Sequence, residues 1–426
     1  MWTKRMIALL IAVVMVVSLA ACGSGNASAS VYWLNFKPEL DETLQTLAKR
    51  YQEEKGVTVK VVTPESGTYQ KTLETEMEQQ FPPTMFVVGN QQEAKEWESY
   101  SLDLKGTALE MALIPGTHTL GNEDGKITAM PYCTECFGIV VNPKLIKNMG
   151  YSVDDINSFD KLKEVAEAIH NNKSWLGYDA FCSHDLGADN SWRLTAHLAN
   201  TEYYYEEKDY GTWPECPTSL TGEYMENYKN LYDLCLNNSI STPQELAQGG
   251  HNPVQEFKDG KAAFLLTGSW DYANITQSIP DAEIIPYYCG VKGEENAGLN
   301  SGSENYWAVN SSVDESLQKA TVAFMKWIVT DPDASAALVK ELGNLPYEGA
   351  AESDNGFLAK DKKLQSDGKY AMKWSMTYQP NSTDYRADLV DALKDYNANQ
   401  SDDNWSKVRK AMIDNWADQY AAVYNK

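Results

Sequence analysis

The stretch F-K-D-G-K-A-A-F-L-L-T-G-S-W-D-Y, Phe257 to Tyr272, decides the reading of this chain. Its first part, Phe257 to Lys261, is polar with a glycine at a turn, and Ala262 to Leu266 is an apolar run of strand length. Thr267, Gly268 and Ser269 form a small corner where the backbone can bend closely. The corner delivers Trp270 and Asp271 together at the strand's end, an apolar plate beside an acceptor. That pair suits a polar ligand with an apolar face. It equally suits a buried tryptophan closing a core, with Asp271 capping the next helix.

Upstream, strand and helix signals alternate. Val31 to Phe36 is apolar and aromatic, Pro38 can open a helix striped by Leu40, Leu44, Leu47 and Tyr51, and Gly56 can close it before the β-branched run Val57 to Val62. A second unit follows, with a helix over Tyr69 to Gln80, a stop at Pro82 and Pro83, and a strand from Thr84 to Val88. Such alternation predicts an α/β fold with helices on the faces of a sheet. Ligands of open α/β sheets sit beyond the carboxyl ends of strands, which makes Asn35, Tyr69 and Asn90 binding candidates. Further on, Ser158 can cap a helix whose apolar face is Phe159, Leu162, Val165, Ala166 and Ile169. Thr201 to Trp213 reads as a polar aromatic loop or hairpin, and Trp405, Val408, Met412 and Trp416 stripe a final helix.

Asp and Glu total 60 against 36 Lys and Arg, so the formal charge of −24 argues against nucleic acid and anionic lipid as partners. Tyr (25) and Trp (12) outnumber Phe (10), so most rings carry a polar handle suited to a half-wet cleft. The N-terminus has basic residues at Lys4 and Arg5, a charge-free run from Met6 to Ala21, and Leu19-Ala20-Ala21-Cys22 at its end. It resembles a bacterial lipoprotein signal. On that reading residues 1–22 are a signal peptide with a lipid attached to Cys22, and residues 23–30 are a flexible tether.

The F-x-x-G-K-A-A followed by G-S-W resembles the signature of the extracytoplasmic solute-binding proteins of ABC importers, in the carbohydrate-binding branch of maltose-binding type. Gly125 to Tyr151, Glu304 to Val329 and G-N-L-P-Y at Gly343 to Tyr347 resemble the same family in the expected order. The resemblance implies a two-lobe periplasmic-binding-protein fold with discontinuous lobes, a ligand cleft between them and a hinge. Residues 31–139 with 285–329 would form one lobe, and 140–284 with 330–426 the other, with crossings near Ile139, Ile285 and Val329.

It also implies that the P-x-x-x-E segment ending at Glu135 lines a sugar site and that Trp192 enters the cleft. Glu135 stands between two apolar runs, where a buried carboxylate needs partners or a cleft, and an ion pair between lobes would serve it as well. Tyr306 and Tyr385 complete the candidate set with Trp270 and Asp271. The family usually has Pro-Asp where this chain has Pro83-Thr84, which leaves any role of that Asp without a residue.

There is no G-x-x-x-x-G-K-[ST] or G-x-G-x-x-G, so no nucleotide cofactor is expected and a pump's ATPase must be another chain. Cys133 and Cys136 have neither a second pair nor spaced His residues to support a zinc site, and the six cysteines after Cys22 permit disulfides without assigning them, reduced buried thiols being equally open. Ser183-His184-Asp185 holds triad residue types, but sequence neighbours do not converge as nucleophile, base and orienter must, and the segment reads as loop. The expectation is a monomeric, lipid-anchored binding protein that passes a sugar to the transmembrane subunits of an ABC permease. A binding protein for another polar solute, or a surface glycosidase with paired carboxylates, are the alternatives.

Overall fold

Apolar runs such as M-F-V-V and E-C-F-G-I-V-V are stable as strands only when both faces are covered, and the chain makes two such sheets. In the computed structural model residues 30–424 are described, apart from 66, 67, 116, 123, 214, 304 and 381. The signal segment, Cys22 and nearly all of the tether lie outside the described residues. The chain begins with β1 (Ser30–Leu34), β2 (Thr58–Val62), β3 (Met85–Val88), β4 (Leu120–Gly121) and β5 (Ile127–Pro131). It continues with β6 (Glu135–Val141), β7 (Asp179–Phe181), β8 (Ala262–Gly268), β9 (Glu283–Ile285), β10 (Ala297–Gly302), β11 (Tyr306–Val309) and β12 (Tyr370–Lys373). The first sheet has the order β2-β1-β3-β11-β5-β4, and the second β12-β10-β6-β8-β7 with β9 paired to β6.

In the first lobe β1 lies parallel to both β2 and β3. Helix Asp41–Lys55 buries Leu44, Leu47, Ala48 and Tyr51 on one face and ends at Gly56, whose φ of 69° lets its N–H reach back to Gln52. The returning strand β11 is antiparallel to β3 and β5 and carries Trp307 into the middle of this lobe. Trp307 meets Trp33 edge-on at 5.3 Å and stacks on Tyr132 at 4.7 Å. Quadrupoles favour both geometries.

The lobe crossings differ from the sequence expectation. Ile139 pairs with Leu266 and Ile285 inside the second sheet, so neither Ile139 nor Ile285 marks a crossing. The chain leaves the first sheet after Pro131 to enter the second at Glu135, and passes back between the end of β10 at Gly302 and the start of β11 at Tyr306. Helices Glu315–Thr330 and Pro332–Leu342 both pack into the first core together with Leu345, Tyr347 and Ala351, which puts the last crossing between Ala351 and Asn355 rather than at Val329. Phe357 already belongs to the second lobe's packing. The apolar pattern marks a strand but not its sheet.

The segment expected as a loop or hairpin is also different. Asn200–Tyr210 is a helix, and Tyr203, Tyr204 and Tyr205 are all buried. A helix covered on most sides shows no one-sided stripe, so its period was not visible. Helix Phe159–Leu176 does start at Ser158, whose hydroxyl accepts from Lys161 N, and buries Leu162, Val165, Ala166 and Ile169. All six cysteines from Cys133 to Cys289 are buried, and no disulfide joins any of them. No helix among the described residues is long and apolar enough to cross a membrane.

Glu202, on the same buried helix, has no exposed surface. Burial, aided by the neighbouring Glu206 carboxylate, pushes its carboxyl up to about 9. A group of this kind keeps its proton in the folded chain after the unfolded chain has lost it, so stability should fall as pH rises from about 4 to about 9. Glu202→Gln should flatten that decline, read as the pH dependence of the urea midpoint.

Candidate functional site

The carboxyl end of β1 is shaped by Asn35. Its Nδ2 donates to Lys37 O (2.6 Å) and Thr63 Oγ1 (3.1 Å), and its Oδ1 accepts from Lys37 N (3.2 Å). Asn35 is buried and its side chain is committed to the loop, which in turn delivers Lys37. The Lys37 ammonium donates to Glu135 Oε1 at 2.9 Å, and both residues are buried. Burial pulls the ammonium's pKa down, but Glu135, with Cys133 and Glu39, raises it by more, so Lys37 stays charged well above the usual lysine range. Glu135, read from sequence as a sugar acceptor, thus carries an ion pair to the opposite lobe. Lys37 was not singled out from sequence, although its place directly after the first strand was a usable signal.

Glu135 opens β6, and the next residue ties it to the tryptophan corner through Cys136 N donating to Ser269 Oγ (3.1 Å). At that corner a side chain on Gly268 would run into the Trp270 ring and the Cys136 carbonyl, so the glycine is what lets the indole fold back over β8. The Trp270 ring lies 6.0 Å from Phe137 at 28°, and 5.6 Å from both Trp192 and His197. His197 stacks on Phe137 at 4.4 Å and meets Trp374 edge-on at 5.1 Å. Phe137, His197 and Trp374 are buried, whereas Trp192 and Trp270 are half-buried, so two indoles stand on a closed aromatic base. Burial, then Arg386 and Arg193, holds His197 neutral.

Trp192 is fixed by Nε1 donating to Asp189 O (3.0 Å) and by the Arg193 guanidinium 4.1 Å from its ring. Arg193 is itself buried, donating to Leu266 O and Asn190 Oδ1, with Asp271 Oδ2 4.0 Å away. Burial lowers its pKa to about 10 against the opposing pull of Asp271. Asp271 accepts from Thr267 Oγ1 (2.5 Å), and its side chain remains 18% exposed.

Two cavities lie between the lobes. The smaller, about 170 Å³, is lined by Phe36, Tyr69, Asn90 and Glu93 from the first lobe, by Asn305 at a crossing, and by Thr377 and Arg386 from the second. The larger, about 610 Å³, lies between Gln91, Lys95 and His118 on one side and Glu215, Tyr378 and Tyr424 on the other. The turn Ser375–Tyr378 separates them by resting on helix Gln91–Glu96, and Thr377 faces both. Lys95 Nζ lies 4.6 Å from the Tyr424 ring, a cation–π contact across the cleft.

Tyr69 and Asn90 thus reach the cleft, but both also hold structure. Tyr69 OH accepts from Val87 N (2.7 Å) and donates to Leu34 O (3.3 Å), tying β3 to β1, while Asn90 Oδ1 accepts from Glu93 N (2.9 Å) and caps the next helix. Tyr306 is buried on β11, with its hydroxyl on Ser303 O (3.1 Å). Tyr385 is a correction to the candidate set. It is wholly buried in the second lobe, with its hydroxyl on Met412 O and 2.8 Å from Tyr203 OH. It stands in helix Ser382–Ala398, and the ~100° step to the next residue puts Arg386 in the cavity instead. Phe36, Thr377, Arg386 and His197 are further site residues that no local pattern announced. Among the described residues no cluster of His, Cys, Asp and Glu could hold a metal ion.

The buried ion pair yields a direct test. Glu135→Gln alone leaves the Lys37 ammonium without its counter-charge and should cost about 3 to 5 kcal/mol in denaturant unfolding. Lys37→Met combined with Glu135→Leu should recover most of that loss.

A maltotriose-binding protein of Pyrococcus abyssi is 21% identical over 342 residues, covering 77% of this chain and 67% of the relative. The GacH receptor of Streptomyces glaucescens, solved unliganded and with acarbose, superposes with a TM-score of 0.67 at 19% identity, covering 94% of this chain and 100% of that one. A sugar transporter of Bacillus licheniformis in complex with stachyose superposes with a TM-score of 0.65 at 17% identity, covering 92% and 100%. At these identities the solved structures speak for the two-lobe fold alone. Residues 46–371, well over half the chain, match the family described as bacterial extracellular solute-binding protein. A two-lobe chain with a cleft at its crossings and a match of that extent belongs to the bacterial extracellular solute-binding proteins.

Proposed function

We propose that this protein captures a sugar or short oligosaccharide between its lobes and delivers it to the transmembrane subunits of an ABC permease, whose ATPase is a separate chain. The observation that carries the reading is the cleft itself. It is lined by polar groups and rings from both lobes, among them Phe36, Asn90, Arg386 and Tyr378, while Trp192 and Trp270 stand half-buried on the second lobe and line neither cavity. Sugars present C–H faces to rings and hydroxyls to amides and charged groups, and this junction offers both. The combined volume suits a ligand of more than one ring, in keeping with a relative named for maltotriose and with similar structures solved in complex with acarbose and stachyose.

A ligand touching both walls would draw the lobes together, because closure is driven by contacts that the open form lacks. Asn90, Asn305 and Arg386 supply hydroxyl partners in this reading, and Asp271 offers an acceptor beside Trp270. Asn35, Tyr69, Tyr306 and Glu135 act mainly by holding the walls. The protein works as a monomer, anchored outside the membrane by a lipid on Cys22.

Calorimetry against an oligosaccharide panel should give saturable one-to-one binding, with the sugar recovered intact. Trp270→Ala should weaken binding by about 2 kcal/mol or more, over tenfold, with the fold preserved. Cleavage of the bound sugar, lost on substitution of one carboxylate, would instead establish a glycosidase. Intact-mass analysis of the membrane-extracted protein should show a chain that begins at lipidated Cys22, whereas an unmodified Cys22 or a retained Met1 would remove the anchor from this account.

A further inference from the structure

Ser183-His184-Asp185 does not act as a unit, but two of its members are recombined with distant residues. His184 is spent inside the lobe, where its Nε2 accepts from Leu266 N (2.9 Å) and burial drives its pKa to about 3. Asp185, with no exposed surface, accepts from Gly187 N, Asn190 Nδ2 and His251 N, and from His251 Nδ1 at 3.0 Å. His251 Nε2 then lies 3.1 Å from Ser241 Oγ, which is 2.9 Å from Ser183 Oγ.

The proton positions follow from the chemistry of the groups. A carboxylate only accepts, so the Nδ1 proton faces Asp185, and in the neutral imidazole Nε2 is then the acceptor to which the Ser241 hydroxyl donates. The Ser183 hydroxyl is left to donate to Ser241 Oγ. Nucleophile, base and orienter therefore stand in hydrogen-bond sequence, as acyl transfer requires.

Access is present as well. Ser241 and His251 are half-buried, while Thr242, Gly250 and Asn252 around them are exposed. Gly250, at φ +100°, has open space where a side chain would stand. Neither Ser241 nor His251 lines the two cavities between the lobes.

We infer that Ser241, activated by His251 and oriented through Asp185, is a nucleophile that cleaves small acyl esters at a site separate from the sugar cleft. The polar, exposed neighbours suit a short acyl chain such as acetyl. Ser241 Oγ bonds the ester carbonyl carbon as its proton passes to His251 Nε2. The carbon–alkoxy bond then breaks, and the alcohol leaves with that proton. Water, deprotonated by His251, next attacks the acyl-serine, releasing the carboxylic acid and restoring the Ser241 hydroxyl. Ser241 and His251 are the catalytic residues, and Asp185 is a positioning residue.

The test incubates the full chain in detergent with a fluorophosphonate and, separately, with p-nitrophenyl acetate. One phosphonyl adduct on Ser241 is expected by peptide mass spectrometry in the folded chain and none in urea, together with a burst of one nitrophenolate per chain. Ser241→Ala should abolish both, and His251→Gln should slow labelling about 100-fold. Asp185→Asn should slow labelling and remove the downfield Nδ1 proton resonance of His251, which lost packing alone would not do. The parent's own labelling carries the test even if a variant fails to fold. An unlabelled folded parent, or an adduct on another residue, overturns the inference.

Discussion

The ion pair between Lys37 and Glu135 stands where the chain first passes from one sheet to the other. Lys37 belongs to the loop after β1 in the first lobe, and Glu135 is the first residue of β6 in the second. Two opposite charges removed from water hold each other only in good geometry, so the pair specifies how the lobes meet more than it adds net stability. Its supports are local. Asn35 shapes the lysine loop, and the bond from Cys136 to Ser269 fixes the start of β6 against the tryptophan corner.

From that fixed point the tryptophan corner follows. Gly268 leaves room for Trp270 to lie back on Phe137, and His197 and Trp374 close the base beneath. Trp192 is held in place by a buried arginine rather than by its own burial. The result is an aromatic platform on the second lobe, while the polar groups that line the cavities come from both lobes. Lys95 against Tyr424, and the turn at Thr377 against helix Gln91–Glu96, also span the gap between the lobes.

The second lobe also binds its outer loops to this platform. Asn190 donates to Asp185 and accepts from Arg193, so the carboxylate that joins the segments of Asp185 and His251 is connected through one amide to the residue beside Trp192.

Much of the fold was legible in the chain. The alternation of apolar runs with amphipathic stripes determined an α/β architecture, Ser158 and Gly56 determined helix ends, and the corner after β8 determined that Trp270 and Asp271 would emerge side by side, because these depend on backbone geometry within a few residues. Which sheet each strand joins was decided only in three dimensions, since Ile139 is equally apolar in either, and so the crossings moved. The helix carrying Tyr203 to Tyr205 was hidden because burial on most sides erases the one-sided period. Tyr385 and Arg386 exchanged roles through a single step of helical rotation. Lys37 for Glu135 and His251 for Asp185 are partners 98 and 66 residues apart. Such pairings arise from the packing of whole elements, so the sequence determined which groups needed partners and the tertiary structure alone decided which partners they found.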